Sequence, residues 1–375
     1  MTKKIVFYTN ICTPYRTEFF NYLNQFDLSF SVWYQRASVP YRKWNYSDFF
    51  ISHHHFVNDG LFIQLGSFPL FFNPSLIYKS IRTQPQVMIL GLSWNDLDAI
   101  LLIFLKKVGI LNSELIFWSE ANYLTNGARR VSIFKSWFRK LVYNQCSFHV
   151  SSGKMTQLTL DRWGVLPQKF IPLPNVIQES VFDSRTHVGS SDTLIHIIIS
   201  ARLVERLKGI LNFLESIPHD LLLSFHIKIA GSGPDFPIIN NYIVTNNLAA
   251  NVSLLGELTP DELAYQFSIS DLFCLPSFSD PSPLSIFEAM CSSLPLLVSN
   301  RCGNHYESVI VDENGYLIDP DNPQSIIDAL NNIIINRDHL RTMGELSKTI
   351  YTNNLSKQII SSRFIDALKS TFYDQ

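Results

Sequence analysis

Asp280 and Glu288 stand on either side of an apolar run in SDPSPLSIFEAM, residues 279–290. The stretch reads as a loop that enters a helix, with Asp280 in the loop and Glu288 about one turn inside. A carboxylate among apolar neighbours needs polar partners. A ligand bearing vicinal hydroxyls supplies them, because a carboxylate accepts two hydrogen bonds side by side. The plainer reading is a loop acid and a helix acid, both structural. A second group lies in SARLVERLKGI, 200–210, where Arg202 follows a buried strand and Lys208 stands at or near the start of a helix. Two cations beside helix amides suit a diphosphate; a solvated loop is the alternative. A third lies in IKIAGSGPD, 227–235, with Gly231 and Gly233 after a strand. Glycine lets backbone approach a ligand closely. This pair lacks the third glycine of a dinucleotide fingerprint, so a tight strand-to-helix turn is equally open.

The elements that must carry these residues are legible from end to end. KIVFYTN (4–10), LSFSVWY (28–34), QVMILG (86–91), ELIFWS (114–119) and SFHVSS (147–152) read as strands, with helical stretches between them. FIPLPNVI (170–177), with two prolines, reads as a linker. The pattern restarts in LIHIIISA (194–201), SFHIKIAG (224–231), NVSLLG (251–256), DLFCLPS (271–277) and LPLLVSN (294–300). Apolar strands alternating with helices predict parallel sheets covered on both faces. Two sets, and 375 residues, predict two doubly wound α/β domains. In such sheets ligands bind at the carboxyl ends of the strands, where all three groups fall.

Residues 1–175 carry 18 basic against 9 acidic side chains, a net of +9, and residues 176–375 carry 12 against 23, a net of −11. The first half is therefore expected to meet something anionic. The 46% hydrophobic and 17% charged fractions exclude disorder. Five scattered cysteines without a CxxC fit reduced thiols rather than a disulfide framework or zinc site. No secretory signal is visible, and 98–111, broken by Lys106 and Lys107, is too short to span a bilayer.

Other candidates have structural readings beside them. Asp96 and Asp98 read as a helix cap with a first-turn acid rather than a metal motif. His53–His55 reads as a loop. Arg16 reads as facing a ligand's anionic part or as a surface arginine. In 128–143, Arg129, Arg130, Lys135, Arg139 and Lys140 interleave with Val131, Ile133, Phe134, Trp137, Phe138 and Leu141. That stretch suits an anionic membrane surface or a crossover helix packed on its sheet. Nucleic acid is disfavoured for want of a binding module.

The series ARLVERLKG, IAGSGPD, VSLLGEL, DLFCLPS, PLSIFEAMCSSLPLLVS and NGYLIDPDN, spread along 194–335, resembles in order and spacing the retaining, nucleotide-sugar-dependent glycosyltransferases of the GT-B fold, family 4 (glycosyl transferases group 1). TNICTPYRTEFFNYL (9–23), YRKW (41–44), FWSEA (117–121) and IPLPN (171–175) are similar to a Pro-Tyr-Arg subgroup. The resemblance implies two Rossmann-like domains facing across a cleft. Residues 1–175 would bind the acceptor, with a C-terminal helix near 355–375 crossing back to them, and 176–354 would bind the donor. It implies that Glu288 holds the nucleotide ribose and that Asp280, replacing the usual Glu, contacts the donor sugar. Arg202 and Lys208, or Arg206 in place of Lys208, would stabilise the departing diphosphate without a metal ion. Gly231, Gly233, Gly256, Leu258, Leu284 and Ser285 would line the donor site. Pro283 stands where the family has glycine and removes one amide donor. Glu120, at a strand end, is the candidate residue of the first domain facing the sugar, against a structural acid.

The expected activity is transfer of a sugar from a UDP- or GDP-sugar to a hydroxyl of a glycan or lipid-linked acceptor, in bacterial surface polysaccharide synthesis (lipopolysaccharide, capsule or exopolysaccharide). No cofactor or metal is expected. The expected location is cytoplasmic, at the inner face of the plasma membrane through the basic first domain. The competing readings are a nucleotide-sugar epimerase of the same fold and a non-catalytic nucleotide-sugar-binding homologue.

Overall fold

The computed structural model describes residues 4–39, 50–65, 68–125, 132–166, 169–183, 188 and 193–372. YRKW (41–44), Arg129, Arg130 and Val131 lie outside them. The chain divides into two compact units, one within 1–121, 131–176 and 360–375, the other within 122–130 and 177–359.

The first unit is built on strands β1 (Ile5–Ile11), β2 (Phe30–Arg36), β3 (His55–Val57), β6 (Val87–Gly91), β7 (Glu114–Ser119), β8 (Phe148–Ser151) and β9 (Lys169–Pro172), with a separate hairpin of β4 (Leu61–Leu65) and β5 (Phe68–Phe72). The sheet order is β3-β2-β1-β6-β7-β8-β9, all parallel. Successive side chains alternate between two cores. Phe7, Val32, Ile89 and Ile116 enter one, and Tyr8, Trp33, Leu90 and Phe117 the other. The helix Lys357–Phe372 completes the first of these with Ile360, Phe364, Ile365, Leu368 and Phe372.

The second unit carries β10 (Ile195–Ser200), β11 (Phe225–Ala230), β12 (Val252–Gly256), β13 (Leu272–Leu275), β14 (Leu296–Ser299) and β15 (Gly315–Ile318), in the order β12-β11-β10-β13-β14-β15, all parallel. Here too Ile197 and Ile199 face one core and Ile198 the other. Both faces are covered, which is why the strands are continuously apolar.

Two stretches differ from the sequence reading. The stretch read as a linker from 170 begins inside β9, whose Pro172 ends an edge strand where a missing N–H is tolerated. The histidine run is not all loop: His55 opens β3, and His54 O accepts from Val32 N–H at 2.9 Å. Burial, and then the charges of His55 and His54, hold His53 down to about 3. Its ring nitrogens lie 3.2 Å from Tyr34 Oη and 2.8 Å from Asn21 Oδ1.

Candidate active site

In the second unit three loops at the carboxyl ends of neighbouring strands carry the expected residues. β10 ends at Ser200, and Arg202 follows in the loop, exposed and without a side-chain partner among the described residues. Lys208 lies near the start of the helix Ile210–Glu215, as expected, but not in it. It ends a single helical turn, Glu205–Lys208, rather than starting a helix. Gly209, with φ 62°, breaks the turn before Ile210–Glu215 begins. The Glu205 carboxylate spans that break, accepting from Leu211 N–H at 2.8 Å and Asn212 N–H at 3.0 Å.

Asp280 lies beyond β13, buried, and is ion-paired to Lys208. The two were expected to serve separate parts of a donor, and the structure joins them. Both side chains are largely withdrawn from water, so each charge is held by the other. A lysine ammonium has three donors, so Lys208 retains capacity for an oxyanion beyond Asp280.

Glu288 sits on the fifth residue of the helix Leu284–Cys291, half-buried. Its carboxyl makes no hydrogen bond or ion pair among the described residues. Burial pushes its pKa up to about 7. Pro283 occupies the N-cap position, so its missing N–H interrupts no helical bond. The amides of Leu284 and Ser285 begin the helix and lack acceptors within it.

The glycine pair admits close approach of the protein's own backbone. A Cβ on Gly231 would stand 1.9 Å from Ala201 O, and one on Gly233 2.2 Å from Leu203 O. The backbone that these glycines admit is that of the Arg202 loop. The two loops are also bonded directly: Leu203 N–H donates to Ser232 O, Asp235 N–H to Leu203 O, and Glu205 N–H to Asp235 Oδ2 at 2.7 Å. Gly256, φ 72°, has open space around its Cβ position and ends β12 two residues before Leu258.

The sequence reading missed the loop after β14. Gly303 N–H donates to Asp280 O at 2.9 Å, and Asn304 Nδ2 to Pro283 O at 2.9 Å. A Cβ on Gly303 would meet Pro281 O at 1.7 Å. Gly-Asn a few residues past a strand end was the available signal. These two residues hold the loop bearing Asp280 from outside, where Pro281 and Pro283 offer no N–H of their own.

In the first unit Arg16 and Glu120 meet, Nη2 to Oε1, at 3.6 Å. Asn175 Nδ2 also donates to Glu120 Oε1, at 3.3 Å. Arg16 is not a surface arginine. It is buried over the Trp118 ring, 4.5 Å from its centroid, and donates through Nη1 to Thr9 Oγ1 and Gly91 O. Asp96 caps the helix Leu97–Lys107, and Asp98, buried in its first turn, accepts from Tyr8 Oη and Gln35 Nε2 at 2.7 Å each. Both acids are structural. No group of three or more His, Cys, Asp and Glu suited to a metal ion is found among the described residues.

Two parallel-sheet α/β units with this strand order define a protein of the GT-B type. Over 98% of this chain and the whole of the other, it superposes with TM-score 0.74 and 14% identity on Anabaena HepE, solved in complex with UDP; at that identity the likeness is one of fold. Residues 182–349 match the family described as Glycosyl transferases group 1, so the chain carries a glycosyltransferase domain of that group. An uncharacterised glycosyltransferase of Methanocaldococcus jannaschii is 31% identical over 126 residues, covering 34% of this chain and 35% of that protein. The alpha-galactosylglucosyldiacylglycerol synthase of Streptococcus pneumoniae is 27% identical over 135 residues, covering 35% and 34%. The chain thus spans about a third of the length of these relatives.

Proposed function

We propose that the protein transfers a sugar, with retention, from a nucleoside-diphosphate sugar to a hydroxyl of a glycan or lipid-linked acceptor in bacterial surface polysaccharide synthesis. The observation that carries this reading is Glu288: a carboxyl withdrawn from water, without a partner among the described residues, three residues past Ser285 in the first turn of its helix. Ribose hydroxyls would answer the carboxyl. Arg202, Lys208 and the amides of Leu284 and Ser285 would take the diphosphate and, as it departs, its growing charge. Removing one such electrostatic contact costs on the order of 100-fold in turnover. Asp280 would reach the donor sugar with one oxygen while the other stays on Lys208. Glu120 would face the sugar from the first unit. The UDP bound by HepE favours a nucleotide donor, and the diacylglycerol glycolipid made by the pneumococcal synthase favours a lipid-linked acceptor. No metal or further cofactor is needed in this chemistry.

The reading includes peripheral contact with an anionic membrane. The helix Ile133–Tyr143 leaves Ile133 90%, Phe134 73% and Trp137 57% exposed beside Lys135 and Lys140. Arg139, read from the sequence as part of the basic face, is instead buried against Trp163, 3.4 Å from the ring centroid. Among the described residues no helix is long and apolar enough to cross a membrane.

Thermal denaturation with UDP, GDP, ADP and NAD tests the donor. UDP or GDP is expected to raise Tm and NAD to leave it unchanged. Release of nucleoside diphosphate from a nucleotide-sugar panel should then depend on an added glycan acceptor, which separates a transferase from an epimerase or a non-catalytic binder. A shift with NAD alone would refute the reading.

A further inference from the structure

Arg301 is a buried charge in the second unit that the donor reading leaves unused. It is 6% exposed and stands two residues past the end of β14. Its Nη2 lies 3.1 Å from Asp319 Oδ1 and also pairs with Asp321, in the stretch that follows β15. Both acids keep much of their contact with water, 42% and 53% exposed. Withdrawing a guanidinium from water is costly, and partners so exposed offset little of it.

The backbone of Arg301 gives the arginine a further task. Its carbonyl accepts from Asn122 Nδ2 at 2.9 Å. Asn122 belongs to the second unit and is 3% exposed. Its Oδ1 accepts from Leu124 N–H at 2.9 Å, which locks the amide with Nδ2 toward Arg301. Arg301 N–H donates to Ser299 Oγ at 3.1 Å. Side chain, carbonyl and amide of this one residue are thus all held.

The residues that follow touch the Asp280 loop. Cys302 pairs with Asp280 as an isolated parallel bridge, and Gly303 N–H donates to Asp280 O. On the other flank Ser279 N–H donates to Leu207 O at 3.0 Å, in the turn that ends at Lys208. Asp280 is therefore placed from two sides, and on one of them the placement passes through Arg301 and Asn122. Neither residue belongs to the loops that carry Arg202 and Glu288.

We propose that Arg301 and Asn122 are positioning residues for Asp280, setting the reach of its carboxylate toward the donor sugar and so governing turnover rather than nucleotide affinity. This rests on the transferase reading. A misplacement of about 1 Å, introduced away from the chemistry, can cost on the order of 100-fold in rate.

The experiment uses the full chain as wild type, Arg301→Met, Arg301→Lys and Asn122→Asp. Titration calorimetry with UDP and GDP reads Kd, nucleoside diphosphate released from a panel of UDP- and GDP-sugars with a glycan acceptor reads kcat, and Tm reads folding. Arg301→Met, and Asn122→Asp at pH 8, are expected to lower kcat about tenfold or more while Kd changes by no more than about twofold. Arg301→Lys, which can keep an ion pair, should lose less. Asn122→Asp is isosteric, keeps the acceptor for Leu124 N–H and removes the donor to Arg301 O. Burial beside that carbonyl raises the pKa of the introduced carboxyl, and once protonated it donates where the amide did. Its deficit relative to wild type at the same pH should therefore shrink between pH 8 and pH 6, whereas that of Arg301→Met should not. Loss of stability alone gives no such difference, and Asn122→Asp decides the matter should Arg301→Met fail to fold. Unchanged kcat in the variants, or a loss of kcat matched by an equal rise in Kd, would overturn the proposal and leave the transferase reading standing. Nucleotide bound by the wild type without turnover would refute the transferase reading and the proposal with it.

Discussion

At Glu288 burial, not a charged neighbour, determines the hold on the proton, and this has a measurable consequence. The folded pKa of about 7 lies above the ordinary 4.5. Between those values the folded protein binds the proton that the unfolded chain has released, so stability is fullest below pH 4.5 and falls as pH rises through 7. Glu288→Gln removes that loss. The variant should match the wild type at pH 4.5 and exceed it in Tm at pH 8, read by calorimetry across the range. Comparing variant with wild type cancels Asp96, which burial and Asp98 also push up to about 7. A variant less stable than wild type at pH 8 would mean that the carboxylate has a bonded structural role.

At the scale of elements the site is a set of loops holding one another, and the glycines show it. Gly231→Ala and Gly233→Ala would drive a methyl group into the Ala201 and Leu203 carbonyls, so both should lower Tm by several degrees and disorder the Arg202 loop. Gly256→Ala meets only the cost of its φ of 72°, about 1–2 kcal/mol. Equal effects at 231 and 256 would contradict the interlock. Ten strands were legible in the sequence, because continuous apolar runs bounded by turns leave little choice. The four-residue turn ending at Lys208 was not, although Gly209 after Leu-Lys is an ordinary stop signal. Asp280 and Glu288 were readable as a pair by their spacing. The Lys208–Asp280 ion pair was not, since it depends on how two loops 72 residues apart meet. The hairpin β4–β5 and the strands β3, β9 and β15 were not read: β3 has only three residues, and the prolines near β9 pointed to a linker.

At the scale of the whole molecule the uneven charge divides along the same line as the two sheets. The first half bears the net of +9 and the exposed apolar helix face. Vesicle co-sedimentation should show binding to phosphatidylglycerol vesicles, weakened by salt, and little to phosphatidylcholine. Phe134→Glu with Trp137→Glu should abolish it without changing Tm. Equal binding to neutral vesicles, or none to anionic ones, would remove the membrane from the account. The chain's end also belongs to this scale. Phe364 lies in the first unit's core with Phe7, their centroids 6.1 Å apart, although most of the chain before it builds the second.

The second unit is most directly tested by titration calorimetry of UDP and GDP against the wild type, Arg202→Ala and Glu288→Ala. One of the two nucleotides should bind at one site, and each variant, folded as judged by its Tm, should bind it at least tenfold more weakly. If neither nucleotide binds the wild type, or if both variants bind as tightly as it does, the cationic loop and the buried carboxyl do not form a donor site.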